Sequence, residues 1–234
     1  MRNVMGSAAA ARPDRRRFLL TGLGVVGGAV LAAGSMSGTG FAAAGPAAKT
    51  EKTWKGKTGA NGWQVLSSAP VHRVEGTGGV QFSAVAGDVA TVLTHVVRRF
   101  HYEIDALRDG EVTGHTANRE VAAPYESNHL SGTAIAIRPL RYPLGARDGL
   151  FPHELVVVRD ILADLEGVVQ WGGDSTPAKE SHFGIAVRPG DARLRQVASK
   201  IRGWDATPGV GAGATDALAP GRLKAAKALA AGRS

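Results

Sequence analysis

The chain's 234 residues are enough for one domain with tails, and none of them is cysteine. That excludes a disulfide framework, a zinc ribbon and a thiol nucleophile, and it leaves His, Asp and Glu as possible metal ligands. The formal charge of +8 does not point to nucleic acid, because residues 1–44 set five arginines against Asp14 and carry +4 of it, leaving +4 for the rest.

Residues 1–44 open with a charged stretch, continue through a glycine- and alanine-rich apolar run from Phe18 to about Gly34, and end at Ala42-Ala43-Ala44. This is the layout of a signal peptide with a small-residue cleavage site. Asp14-Arg15-Arg16-Arg17-Phe18-Leu19-Leu20 resembles the twin-arginine export motif. A transmembrane anchor is the competing reading, but the glycines and the break at Ser35-Met36-Ser37-Gly38 argue against it. The expectation is a secreted protein with no stable membrane anchor after cleavage.

Residues 45–60 are rich in Gly, Ala and Lys and read as a flexible lead-in. Trp63 to Ser67 is a candidate first extended piece, and Gly79 to Ala84 alternates as a strand does. Asp88 can cap a helix in which Val89, Val92, Leu93, Val96 and Val97 recur at helical spacing. His101 to Ile104 reads as a strand, and residues 105–126 as a looser region. Gly132 to Ile137 has period-two character, Pro143 to Asp148 is turn material, and a helix starting at Phe151 is expected to end at Gly167. Val168–Trp171 and Ser181–Val187 are short strand candidates around the loop 172–179, followed by an amphipathic helix from Asp191 to Trp204. Residues 205–234 read as a low-complexity tail that includes a possible short basic helix. Strands and helices without a βαβ rhythm predict a single α+β domain over residues 61–204, with a small, mostly antiparallel sheet and flanking helices.

His129 and His182 are the informative polar residues. His129 sits in Ser127-Asn128-His129, just before Gly132-Thr133-Ala134. His182 follows Trp171-Gly172-Gly173-Asp174 and begins a strand with Phe183. Together with Pro143-Leu144-Gly145, these pieces resemble the M15 family of zinc peptidases, the D-alanyl-D-alanine carboxypeptidases and endolysins that cut peptidoglycan stem peptides. The resemblance runs over roughly residues 95–188. It implies the family's fold, zinc as cofactor, His129 and His182 as ligands, and stem peptides as partners, with Ser127 and Arg119 on the substrate.

The resemblance also marks departures. The family's zinc-binding aspartate falls on Ala136, its acidic general base falls on Lys179, and Gly184 stands where the family often has an acid. A methyl group cannot coordinate a cation, and two histidines alone hold zinc loosely, since a catalytic zinc keeps three protein ligands and one open position. Glu180 is the first candidate to stand in as base or ligand, because an extended 180–182 segment puts it on the His182 face about 7 Å along the chain. Asp174 is the second candidate, ahead of Glu126, His115 and His153. The bland readings are a helix-opening role for His153, a solvated loop arginine for Arg119, a core aromatic for Trp171 and a turn-bonding side chain for Asp174. Two functions follow: a zinc-dependent hydrolase of stem peptides, or a catalytically inactive relative that binds wall peptides or a wall-associated partner.

Overall fold

Residues 52–232 are described in a computed structural model; the expected signal segment and the start of the lead-in lie outside the described residues. The order of elements is β1 (Lys52–Thr53), β2 (Val71–Arg73), β3 (Gln81–Ser83), α1 (Asp88–Glu103), β4 (Val112–Thr113), β5 (Glu120–Val121), a 3-10 turn (Pro124–His129), β6 (Ala134–Ile137), α2 (Pro152–Asp164), β7 (Val169–Trp171), β8 (His182–Ile185), α3 (Ala192–Asp205) and α4 (Pro220–Ala231). This is an α+β fold with small antiparallel sheets. The main sheet has the order β4-β6-β8-β7, and β1-β5 and β2-β3 form separate two-stranded ladders.

The sequence of β6, Ala-Ile-Ala-Ile, sets the layering. Alternate side chains of a strand point to opposite faces. Ile135 and Ile137 therefore enter the core with Phe183 and Ile185 of β8, against the valines of α1 and Val158 and Ile161 of α2. Ala134 and Ala136 face the other way, opposite Gly184 and His182 in the β6–β8 register. A face made of such small residues lets the 3-10 turn lie close on the sheet, and that brings His129 to His182.

Helix α1 buries Val89, Val92, Leu93, Val96, Val97 and Phe100, each contributing roughly 1.5–3 kcal/mol of apolar burial. It runs through the residues expected to form a strand at His101–Ile104, ending at Glu103. The extra turn is held by the i,i+4 ion pair of Arg99 with Glu103, and the His101 imidazole then accepts the Leu107 amide at 2.9 Å. Helix α2 stops at Asp164, three residues before the expected end, and the chain leaves through left-handed Glu166 and Gly167. Asp191 caps α3 by accepting the Arg193 amide at 2.9 Å. Trp63 to Ser67 forms no named strand; it is held by the bridge between Thr58 and Gln64, by the Val65 and Leu66 amides donating to Lys57 O and Leu130 O, and by the Trp63 indole donating to Val187 O.

Both ends of the described chain are more ordered than their composition suggests. The lead-in pairs through β1 with β5, and the Ala60 and Asn61 amides donate to the Ser127 and Asn128 side chains at 2.8 and 3.1 Å. Helix α4, in the expected tail, docks on α2. Arg99 is fully buried and bonds Glu103, Asp160 at 2.7 Å and Asp164 at 2.8 Å. Arg222 of α4 reaches the same two aspartates at 2.7 and 2.8 Å. Ala226 is buried beside this network and Leu229 packs on the core. No helix among the described residues is long and apolar enough to cross a membrane.

Candidate functional site

The two histidines meet. His129 closes the 3-10 turn, His182 opens β8, and His129 Nε2 lies 3.2 Å from His182 Nδ1, the rings set at 71°. His129 Nδ1 is 2.9 Å from Gly114 O, so that nitrogen carries the hydrogen and donates it to the carbonyl. Nε2 of His129 is then an acceptor, which makes His182 the donor through Nδ1 and leaves a bare lone pair on His182 Nε2. That Nε2 and the nearby Asn128 Nδ2 are buried without a hydrogen-bond partner among the described residues.

The pair is enclosed. His182 is 0 % exposed and His129 7 %, and the Tyr125 ring covers His182 at 4.8 Å while its hydroxyl donates to Pro177 O. Burial pushes His129 down to about 4. Burial, then His129 and Lys179, hold His182 well below the usual imidazole range. Both rings are therefore neutral in the fold, the form in which imidazole binds metal.

The rest of a zinc site does not assemble around them. Ala136 stands directly across from His182 and offers a methyl group. Among the described residues no group of three or more His, Cys, Asp or Glu is placed to hold an ion. Lys179, where the resemblance would set a base, is paired at 2.6 Å with Glu126, whose other oxygen accepts the Ala122 and Ala123 amides. Burial pushes the Glu126 carboxyl up, but the Lys179 ammonium and the two amides outweigh it and hold it below the usual carboxylate range. The donors present do not fit a three-ligand zinc.

Each candidate stand-in is engaged elsewhere. Residues 180 and 181 are not extended but form a turn closed by the His182 amide donating to Lys179 O at 3.0 Å. That turn sends Glu180 toward the 148–149 loop, where its oxygens accept the Asp148 and Gly149 amides, both at 2.9 Å. A Cβ at Gly149 would come within 2.8 Å of the Tyr142 ring and 2.9 Å of the same carboxylate. Asp174 makes a two-pronged ion pair with Arg159 at 2.6 Å, beside the Trp171 ring. His115 bonds Leu66 O, and His153 is exposed and stacks on Phe151.

The two substrate-side candidates also bond within the chain. Arg119 donates to Trp54 O at 3.0 Å and Gly56 O at 3.2 Å. Ser127 is fully buried, donates to Pro124 O and accepts the Ala60 amide. Sequence reasoning overlooked Tyr125, the Glu126–Lys179 pair and Asn128. The signal was at hand, since three of these four lie within the Tyr125–His129 stretch, but their roles depend on which groups the turn brings opposite them. Comparison with family models, with curated proteins and with solved structures finds no match to this chain.

Proposed function

We propose that this protein is a catalytically inactive relative of the M15 zinc peptidases that binds peptidoglycan stem peptides. One observation carries the reading: His129 and His182 touch in a buried pair whose third corner is the Ala136 methyl. Hydrolysis of a peptide bond by such a centre needs a third ligand to fix the metal and a base to take a proton from its water. Ala136 and Lys179 remove both carboxylates, and the neighbouring carboxylates of Glu126, Glu180 and Asp174 are held by their own partners. The histidines that remain hold the 3-10 turn to β8.

The test compares the parent chain with the Ala136→Asp/Lys179→Asp double variant for zinc content and muropeptide cleavage, and sediments the parent with purified sacculi. The expected parent retains less than one tenth of a zinc per chain, releases no fragment by mass spectrometry and cosediments with sacculi; the double variant gains zinc. Metal-dependent cleavage by the parent, abolished by His182→Ala, would instead establish the hydrolase reading. Failure to cosediment would remove the wall as partner.

A further inference from the structure

The histidine pair is closed, but a cleft of about 830 Å³ is lined by residues 52–56 and 121–124, on the ladder of β1 with β5 and the segment entering the 3-10 turn. Val121, Ala123 and Pro124 give the lining its apolar part, and Lys52, Trp54 and Lys55 belong to the wall made by residues 52–56. The wall is built, not draped. The Trp54 amide donates to Arg119 O at 2.7 Å, Arg119 returns two bonds to the carbonyls of Trp54 and Gly56, and the indole Nε1 donates to Thr58 O at 2.8 Å. A Cβ on Gly56 would come within 2.7 Å of that indole nitrogen, so glycine lets the ring lie against the loop.

Charge selects the occupant. Lys52, Lys55 and the adjacent Lys57 are exposed, and among the described residues none of them is in an ion pair. The nearby Glu120 accepts the Thr53 hydroxyl. Apolar lining residues, one fixed aromatic face and unpaired ammonium groups suit a short peptide that alternates small methyl groups with free carboxylates. The volume falls within the usual range of sites that bury a small ligand, about 300–1,000 Å³.

We infer that the cleft between Trp54 and Ala123, with Lys52 and Lys55 in its lining, is where an extended, carboxylate-bearing stem peptide binds. The identity of the peptide rests on the wall-binding reading; the cleft and its charge do not. The experiment titrates the full chain with a soluble disaccharide-tetrapeptide muropeptide, following tryptophan fluorescence and calorimetry at 50 mM and 500 mM salt. Expected are saturable binding, weakening of roughly tenfold in Lys55→Glu and Lys52→Glu and again at high salt, and unchanged binding in Lys227→Glu, whose lysine lies on α4. Trp54→Ala removes the aromatic face and weakens binding roughly tenfold as well, read by calorimetry. Circular dichroism confirms that the variants fold. Equal affinity in parent and both charge-reversed variants overturns the cleft, as does absence of binding by the parent at millimolar peptide. Sacculus sedimentation of the same variants separates the two readings: binding that survives Lys55→Glu/Lys52→Glu keeps the wall as partner and removes only this cleft.

Discussion

Two buried polar clusters of this chain contrast in how completely they are paired. Around Arg99, the guanidinium and the carboxylates of Glu103, Asp160 and Asp164 satisfy one another, and Arg222 adds a second cation. Around His182, one imidazole nitrogen and the Asn128 amide nitrogen have no partner among the described residues. Buried polar groups without partners cost free energy, on the order of 1–3 kcal/mol each. The first cluster is explained by the fold it fastens. The second is not, and the proposed loss of a metal centre would account for it.

The sharpest way to break the comparison is to unpair the first cluster. Asp160→Ala leaves buried Arg99 and Arg222 short of a carboxylate and should destabilise by roughly 3–5 kcal/mol in urea unfolding. A loss below 1 kcal/mol would mean that the network is solvated and the contrast false.

Acid probes the second cluster next. His129 sits near 4, lowered first by burial, and His182 is well below its usual value; His95 of α1, outside this cluster, sits near 3 and adds to the same window. An unfolded histidine titrates near about 6.5. Between those values the unfolded chain binds more protons than the fold does, so stability is full above pH 6.5 and falls as pH drops toward 4. His129 alone should cost on the order of 3 kcal/mol over that window, seen as a urea midpoint constant from pH 8 to 7 and declining below 6.5. A flat profile would show that protons reach the rings within the fold.

Smaller effects sharpen the picture. A methyl group added by Gly184→Ala would stand 2.9 Å from His182 Nε2 and must turn the ring, at about 1–3 kcal/mol; a shift in the His182 imidazole resonances reports it. Arg222→Ala removes the half-exposed cation of the first cluster and should cost about 1–2 kcal/mol, read as faster amide exchange confined to α4.

Much of this architecture is legible in the sequence, and the places where it is not have local causes. The helical spacing of Val89 to Val97 and the alternation in Ala134–Ile137 predict α1 and β6, because burial on one face is what those periods encode. His129 and His182, the two histidines the sequence singles out, lie within hydrogen-bond distance of each other. The direction of Glu180 is illegible because one backbone bond, His182 to Lys179, converts an expected strand into a turn and rotates the carboxylate away. Past His101, α1 continues with the Arg99–Glu103 pair, whose guanidinium is buried against Asp160 and Asp164, 61 and 65 residues away. The docking of α4 is hidden for a similar reason: an alanine-rich sequence acquires a buried side through Ala226, Leu229 and the pairing of Arg222 with the aspartates of α2.

That docking also orders events in time. Until α4 has been synthesised, the centre of the fold holds three carboxylates around a single guanidinium, an excess of negative charge that the interior tolerates poorly. The remaining cation is supplied from more than fifty residues downstream of α2, by Arg222. A ribosome-bound chain that has already made every strand of the main sheet is therefore still electrostatically unfinished, and its last described helix halves the excess negative charge of that cluster as well as covering it.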